Sequence, residues 1–198
     1  MFNTTIATQI YAKICFEATN SQKKIIENLS EYLSDDDFSR IFVLNGFAGT
    51  GKTTLIAALV AALKELRIKP VLLAPTGRAA KVLARYCGEQ ALTIHKRIYR
   101  QRTNADYESK FSLDFNREQG AVFIVDEASM LSDSTGDGAL FGSGSLLEDL
   151  VSYVRSGRGC RLILVGDSAQ LPPVGCDFSP ALDPATVSRY GEVVYGLM

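Results

Sequence analysis

IFVLNGFAGTGKTTLIAALVAALKELR, residues 41–67, decides the fold. Ile41 to Asn45 is an apolar run without polar alternation, as in a strand buried on both faces. TTLIAALVAALKELR, from Thr53, is rich in Ala and Leu and reads as a helix. Between them, GFAGTGKTT (Gly46 to Thr54) matches G-x-x-x-x-G-K-[ST] in full. The glycines let the backbone curl so that successive N–H groups point at phosphate oxygens, and the helix adds its positive N-terminal end. Gly46, Ala48, Gly49, Thr50, Gly51 and Thr54 are expected to line the phosphates. Lys52 supplies a point charge, and the Thr53 hydroxyl is a hard oxygen ligand for Mg²⁺.

Outward from this stretch the same alternation repeats. PVLLA (Pro70 to Ala74), AVFIV (Ala121 to Val125) and RLILV (Arg161 to Val165) read as three more buried strands. SQKKIIENLSEYL (Ser21 to Leu33) puts Ile25, Ile26, Leu29 and Leu33 on one helical face, with Asn20 or Ser21 available as cap. GRAAKVLARY, from Gly77, is a further helix that Thr76 can cap. Strands alternating with helices predict an α/β fold, a mainly parallel sheet with helices on both faces. In such sheets, ligands gather at the carboxyl ends of the strands.

Two of those ends carry chemistry. Asp126 and Glu127 close the third strand, and adjacent acids there are costly unless they serve a cation. Asp126 is expected to hold Mg²⁺ through water, and Glu127 to orient and deprotonate the attacking water. A glutamate after the aspartate favours ATP hydrolysis over transfer to a small acceptor. VGDSAQLPPVG (Val165 to Gly175) follows the fourth strand, where Pro172 and Pro173 stiffen the segment beyond Gln170. A neutral amide there can donate to a γ-phosphate oxygen and accept from the lytic water, so Gln170 is expected to sense that phosphate.

Bulk composition is less specific. A net charge of −1 gives no overall sign of a nucleic-acid partner, so basic groups must act locally. HKRIYRQR (His95 to Arg102) is such a run, with an aromatic suited to single-strand binding, although a solvated charged face is the commoner meaning. The four cysteines lie far apart without metal-ligand spacing, which reads as reduced structural thiols. With no membrane-length apolar run and no signal-peptide layout, the expectation is a cytoplasmic protein with no membrane partner. Gln101 to Gly120 reads as a surface insertion or hairpin, and Ser132 to Ser145 as a glycine- and serine-rich mobile loop.

GFAGTGKTT, APTGRAAKVL (Ala74 to Leu83), TIH (Thr93 to His95), VDEASM (Val125 to Met130) and GDSAQLPPVG (Gly166 to Gly175) stand in the order found in superfamily-1 DNA helicases. The set resembles the RecD-like, 5′-to-3′ branch, over roughly residues 22–183. That resemblance implies a RecA-like P-loop NTPase fold using ATP and Mg²⁺, with single-stranded DNA as partner. It implies that Gln22 contacts adenine, that Thr76 and Arg78 touch the strand's backbone, and that His95, with Lys96 and Arg97, lies near its path. Residues 1–19 are then an N-terminal segment and 20–198 the first of the family's two motor domains.

The family's pattern continues past GEVVYGLM into a second motor domain that carries arginine fingers, and no such domain is found in these 198 residues. Slow hydrolysis, little stimulated by DNA and without unwinding, is the expectation for this stretch alone. The rival readings are a P-loop kinase of small molecules, which Glu127 and Gln170 disfavour, and a non-catalytic nucleotide- or DNA-binding module.

Overall fold

The computed structural model describes residues 2–14, 17–103, 109–133 and 141–198. Its elements run α1 (Phe2–Lys13), α2 (Asn20–Ser34), β1 (Ile41–Asn45), α3 (Lys52–Glu65), β2 (Pro70–Ala74), α4 (Gly77–Cys87), β3 (Ala91–Thr93) and α5 (Ile94–Ile98). They continue with β4 (Tyr99–Thr103), β5 (Ser109–Leu113), β6 (Val122–Val125), α6 (Leu146–Ser156), β7 (Arg161–Gly166), α7 (Pro184–Val187) and β8 (Val193–Leu197). A six-stranded sheet has the order β3-β2-β6-β7-β1-β8 with every pairing parallel. β4 and β5 form a separate antiparallel hairpin that starts two residues before the stretch expected to be an insertion or hairpin and overlaps it.

The strand residues split cleanly between two cores, as the two-residue period of a strand requires. Phe42, Leu44, Leu72, Val122, Ile124, Ile163 and Val165 face α1 to α4. Val43, Val71, Leu73, Phe123, Val125, Leu162 and Leu164 face α5, α6 and the segment around Leu182. Both faces are therefore covered, which is why these strands read as unbroken Val/Ile/Leu runs. The fold is the expected α/β one, a parallel sheet between helical layers.

Local details differ from the sequence reading. The cap of α2 is Thr19, not Asn20 or Ser21: its hydroxyl accepts from Gln22 N, while Gln22 Oε1 accepts from Thr19 N at 3.0 Å. This reciprocal pair satisfies two orphan donors at once, which a cap one residue later would forgo. Residues 2–13, assigned to a segment outside the domain, form α1, and Ile6 and Ile10 are fully buried in the core with Leu29 and Leu59. α5, α6, α7, β3 and β8 were not read from the sequence.

The glycine- and serine-rich stretch is pinned at its described ends, while residues 134–140 lie outside the described set. Ser145 caps α6 through Glu148 N and donates to Asp133 at 3.0 Å. Phe141 stacks on Phe111 of the hairpin with centroids 4.5 Å apart. Among the described residues no helix is long and apolar enough to cross a membrane, and Cys87, Cys160 and Cys176 are free thiols.

Candidate active site

β6, β7 and β1 are neighbours in the sheet, so their carboxyl ends deliver Asp126-Glu127, the Gln170 turn and the P-loop side by side. Together these residues line a cavity of about 380 Å³ with Ala48, Gly49, Gly51, Lys52, Thr53, Thr54, Tyr86 and Gly166. Gly49 (φ 80°) and Gly51 (φ 91°) take left-handed backbone that a side chain would strain. A Cβ on Gly51 would also lie 2.9 Å from Gln22 Nε2. Gly51 caps α3 with no side-chain bond, so the first N–H groups of that helix face the cavity without an intrahelical partner. A cradle of this kind fits phosphate. Lys52 meanwhile donates to the carbonyls of Gly46 (2.6 Å) and Phe47 (2.8 Å) in its own loop.

The acidic pair is held under electrostatic tension. Burial raises the Asp126 pKa, against the lowering influence of the Glu127 backbone and the Lys52 ammonium. Glu127 is raised by burial and then by the Asp126 carboxylate, opposed by Lys52 and by a hydrogen bond with Gln170. Its backbone has φ 54°, a left-handed conformation uncommon in a residue with a side chain. Strain of that sort is tolerated where the surroundings fix a functional geometry. Among the described residues Asp126 makes no ion pair, and its half-buried carboxylate lines the same cavity as Thr53, a hard-oxygen donor set that fits Mg²⁺, which takes few protein ligands.

Gln170 is positioned by its turn as much as by the prolines after it. Its N–H donates to Asp167 O at 3.1 Å, and Asp167 Oδ1 accepts from Ala169 N at 2.9 Å. Its Oε1 accepts from Ser129 Oγ at 3.3 Å, which leaves the amide nitrogen for the Glu127 carboxylate. Beneath the P-loop, the buried Asn45 donates to Tyr195 Oη (2.7 Å) and Ser168 Oγ (2.9 Å) and accepts from Ser168 N (3.0 Å). This one amide ties β1 to the Gln170 turn and to β8. Asn45, Ser129 and Tyr195 went unread because their partners are distant in sequence.

On the other flank of the P-loop, Gln22 donates from Nε2 to Thr50 O at 3.2 Å, so both ends of its amide are engaged within the chain. It lines a second cavity of about 620 Å³ with Ser21, Thr50, Thr54 and Met198.

The residues expected along a DNA path are not all brought together. Thr76 caps α4 through Ala79 N (3.2 Å), and Thr76 and Arg78 are exposed at the mouth of a third cavity of about 340 Å³ that also touches Asp126 and Glu127. α5 starts at the end of β3, level with the end of β2, because Thr93 pairs with Ala74. Lys96 is exposed there. His95 is half-buried, its ring packed on Tyr99 (5.6 Å) and edge-on to Phe141 (5.1 Å), and burial lowers its pKa.

Arg97 requires a correction. Its guanidinium pairs with Glu118 at 2.6 Å and lies 6.0 Å from the rings of Phe123 and Tyr153. Glu118 also binds Lys69 at 2.8 Å, and both acid and lysine precede their strands, so Arg97 points to the amino ends of the sheet. Arg97→Ala should cost about 1 kcal/mol in urea unfolding, as the Glu118 carboxylate keeps only its exposed partner Lys69, and should leave DNA affinity unchanged.

The protein-family model described as an AAA domain matches residues 17–177. That span takes in the P-loop, the acidic pair and the Gln170 turn. The chain is 30% identical to the ATP-dependent RecD2 DNA helicase of Deinococcus radiodurans over 154 residues, 78% of this chain and 19% of that protein. It is 35% identical to the RecBCD enzyme subunit RecD of Mycobacterium tuberculosis over 158 residues, 68% of this chain and 24% of that protein.

The chain belongs to the AAA domain family.

The crystal structure of Pif1 helicase from Candida albicans matches it with a TM-score of 0.55 and 21% identity, over 92% of this chain and 40% of that one, which supports the fold. The chain spans about a fifth to a quarter of the length of the two curated relatives. Within the 17–177 match lie Gln22, the whole P-loop, Thr76, Arg78, the acidic pair and Gln170.

Proposed function

We propose that this chain is the ATP-hydrolysing motor domain of a DNA helicase, acting 5′-to-3′ on single-stranded DNA together with a second motor domain. The observation that carries this reading is the meeting of Lys52, Thr53, Asp126, Glu127 and Gln170 around one cavity at three adjacent strand ends.

In this reading Lys52 exchanges its two loop carbonyls for β- and γ-phosphate oxygens, a stronger charge-assisted contact. Thr53 directly, and Asp126 through water, would hold Mg²⁺, which would neutralise charge developing on the phosphates. Glu127 takes the proton from the attacking water, and its strained backbone fixes the carboxylate. Gln170, held by Ser129 and its turn, orients that water and registers the γ-phosphate. Gln22 reaches adenine by giving up one of its two internal bonds, which links base recognition to the P-loop carbonyl of Thr50.

Single-stranded DNA lies across the strand ends beside α4. The Thr76 hydroxyl accepts from Ala79 N and keeps its own proton to donate to a phosphate, while Arg78 and Lys96 neutralise charge. His95 braces the hairpin next to that path through Tyr99 and Phe141. Binding should be sequence-tolerant and fall with salt as counterions are released. Fluorescence anisotropy with an oligothymidine should show Arg78→Ala plus Lys96→Ala weakening binding at low salt and flattening the salt slope by about 2. An unchanged affinity would remove DNA from this face. ATPase assays with and without the oligonucleotide test the enzyme reading itself.

A further inference from the structure

Tyr86 is 64% exposed, yet it lines the cavity that holds the P-loop and the acidic pair. An aromatic ring left this open in the wall of a polar cleft packs against little of its own chain, which marks it for contact with something else. Its helix explains where it points. Arg78, Val82 and Tyr86 recur every four residues on α4 and are all exposed, so they form one face, while Ala80 and Leu83 anchor the opposite face in the core. Tyr86 lies in the last turn of α4, about 13 Å along the helix from Gly77, and there its side chain reaches the cavity that Thr53 and Asp126 also line.

The neighbours of Tyr86 locate it further. The cavity it lines includes Lys52, Thr53, Asp126 and Glu127 but not Gln22 or Ser21, which line the cavity on the other flank of the P-loop. Tyr86 therefore borders the phosphate and metal end of the site rather than the end assigned to the base. A neutral ring is suited to that position. It competes neither with Lys52 for the anion nor with Asp126 for a cation, and its hydroxyl can donate to an oxygen.

We propose that Tyr86 is a contact residue for the nucleotide, closing the phosphate end of the cleft from the α4 side and favouring the triphosphate over the diphosphate. The inference rests on the nucleotide site proposed above. It extends that site to α4, the helix whose first turn carries Thr76 and Arg78.

Calorimetry of the full chain with Mg-ATP and Mg-ADP tests it. Tyr86→Ala should weaken Mg-ATP by about three- to tenfold and change Mg-ADP by less than about twofold. The same unfolding midpoint as wild type is expected, since the buried face of α4 is untouched. The chain contains no tryptophan, so Tyr86→Trp places a single reporter at the site. Its emission should change with Mg-ATP and saturate at the calorimetric Kd, and Lys52→Ala in the same background should remove that change. Unaltered Mg-ATP affinity in Tyr86→Ala, equal weakening of both nucleotides, or silent Tyr86→Trp emission with a binding chain overturns the role of Tyr86. A wild-type chain that binds neither nucleotide overturns the nucleotide site instead, and this inference with it.

Discussion

Glu127→Gln should bind Mg-ATP about as tightly as wild type and hydrolyse it about 10²–10⁴ times more slowly. The range is what a positioned general base contributes. The amide keeps the shape of the side chain, so the strained turn at φ 54° and the contact with Gln170 survive. What is lost is the ability to accept a proton. Removing the charge also relieves the repulsion between Glu127 and Asp126, so the variant should be no less stable than wild type in urea unfolding. Single-turnover hydrolysis measured beside calorimetric binding separates the two effects. Hydrolysis within threefold of wild type would take the base assignment away from Glu127.

Lys52→Ala should have the opposite signature, with nucleotide binding weakened by about 10–100-fold. A hydrogen bond to a charged group contributes roughly 1.5–3 kcal/mol, and each 1.4 kcal/mol is tenfold. Two further changes accompany the loss of the ammonium. Gly46 and Phe47 lose their internal donor, so the empty loop is held less firmly. Asp126 and Glu127 lose the cation that lowers their pKa values, which pushes both further up. Equal affinity for Mg-ATP in variant and wild type would sink the phosphate-binding assignment.

How much of this was legible in the sequence follows from where each residue's partners lie. The four central strands were readable because both their faces are buried, which leaves no polar alternation to confuse the pattern. The P-loop, Asp126-Glu127 and Gln170 were readable because each directly follows such a strand. The edge strands β3 and β8 are short and half-exposed, and they carried too little pattern to be seen. α1 is anchored chiefly by Ile6 and Ile10, and its weak amphipathic signal hid it. Arg97 was misplaced because composition shows a basic run but not which way each side chain turns; its pairing with Glu118 is a tertiary fact. Tyr86 was invisible for the same reason, since only the packing of α4 brings it to the cleft.

The position of β7 has a consequence for how the protein matures. β7 lies between β6 and β1, although both are made before it. A nascent chain that has emerged only as far as residue 160 holds the P-loop and the acidic pair on strands with no shared neighbour. Insertion of residues 161–166 then completes the long-range pairings on both sides, with Ile41 to Leu162 and Val122 to Arg161 in register. Such non-local closure is slow compared with helix formation. The proposed nucleotide site can therefore assemble only after residues 161–166 have paired, and ATP retention during synthesis would report the moment at which β7 joins β6 to β1.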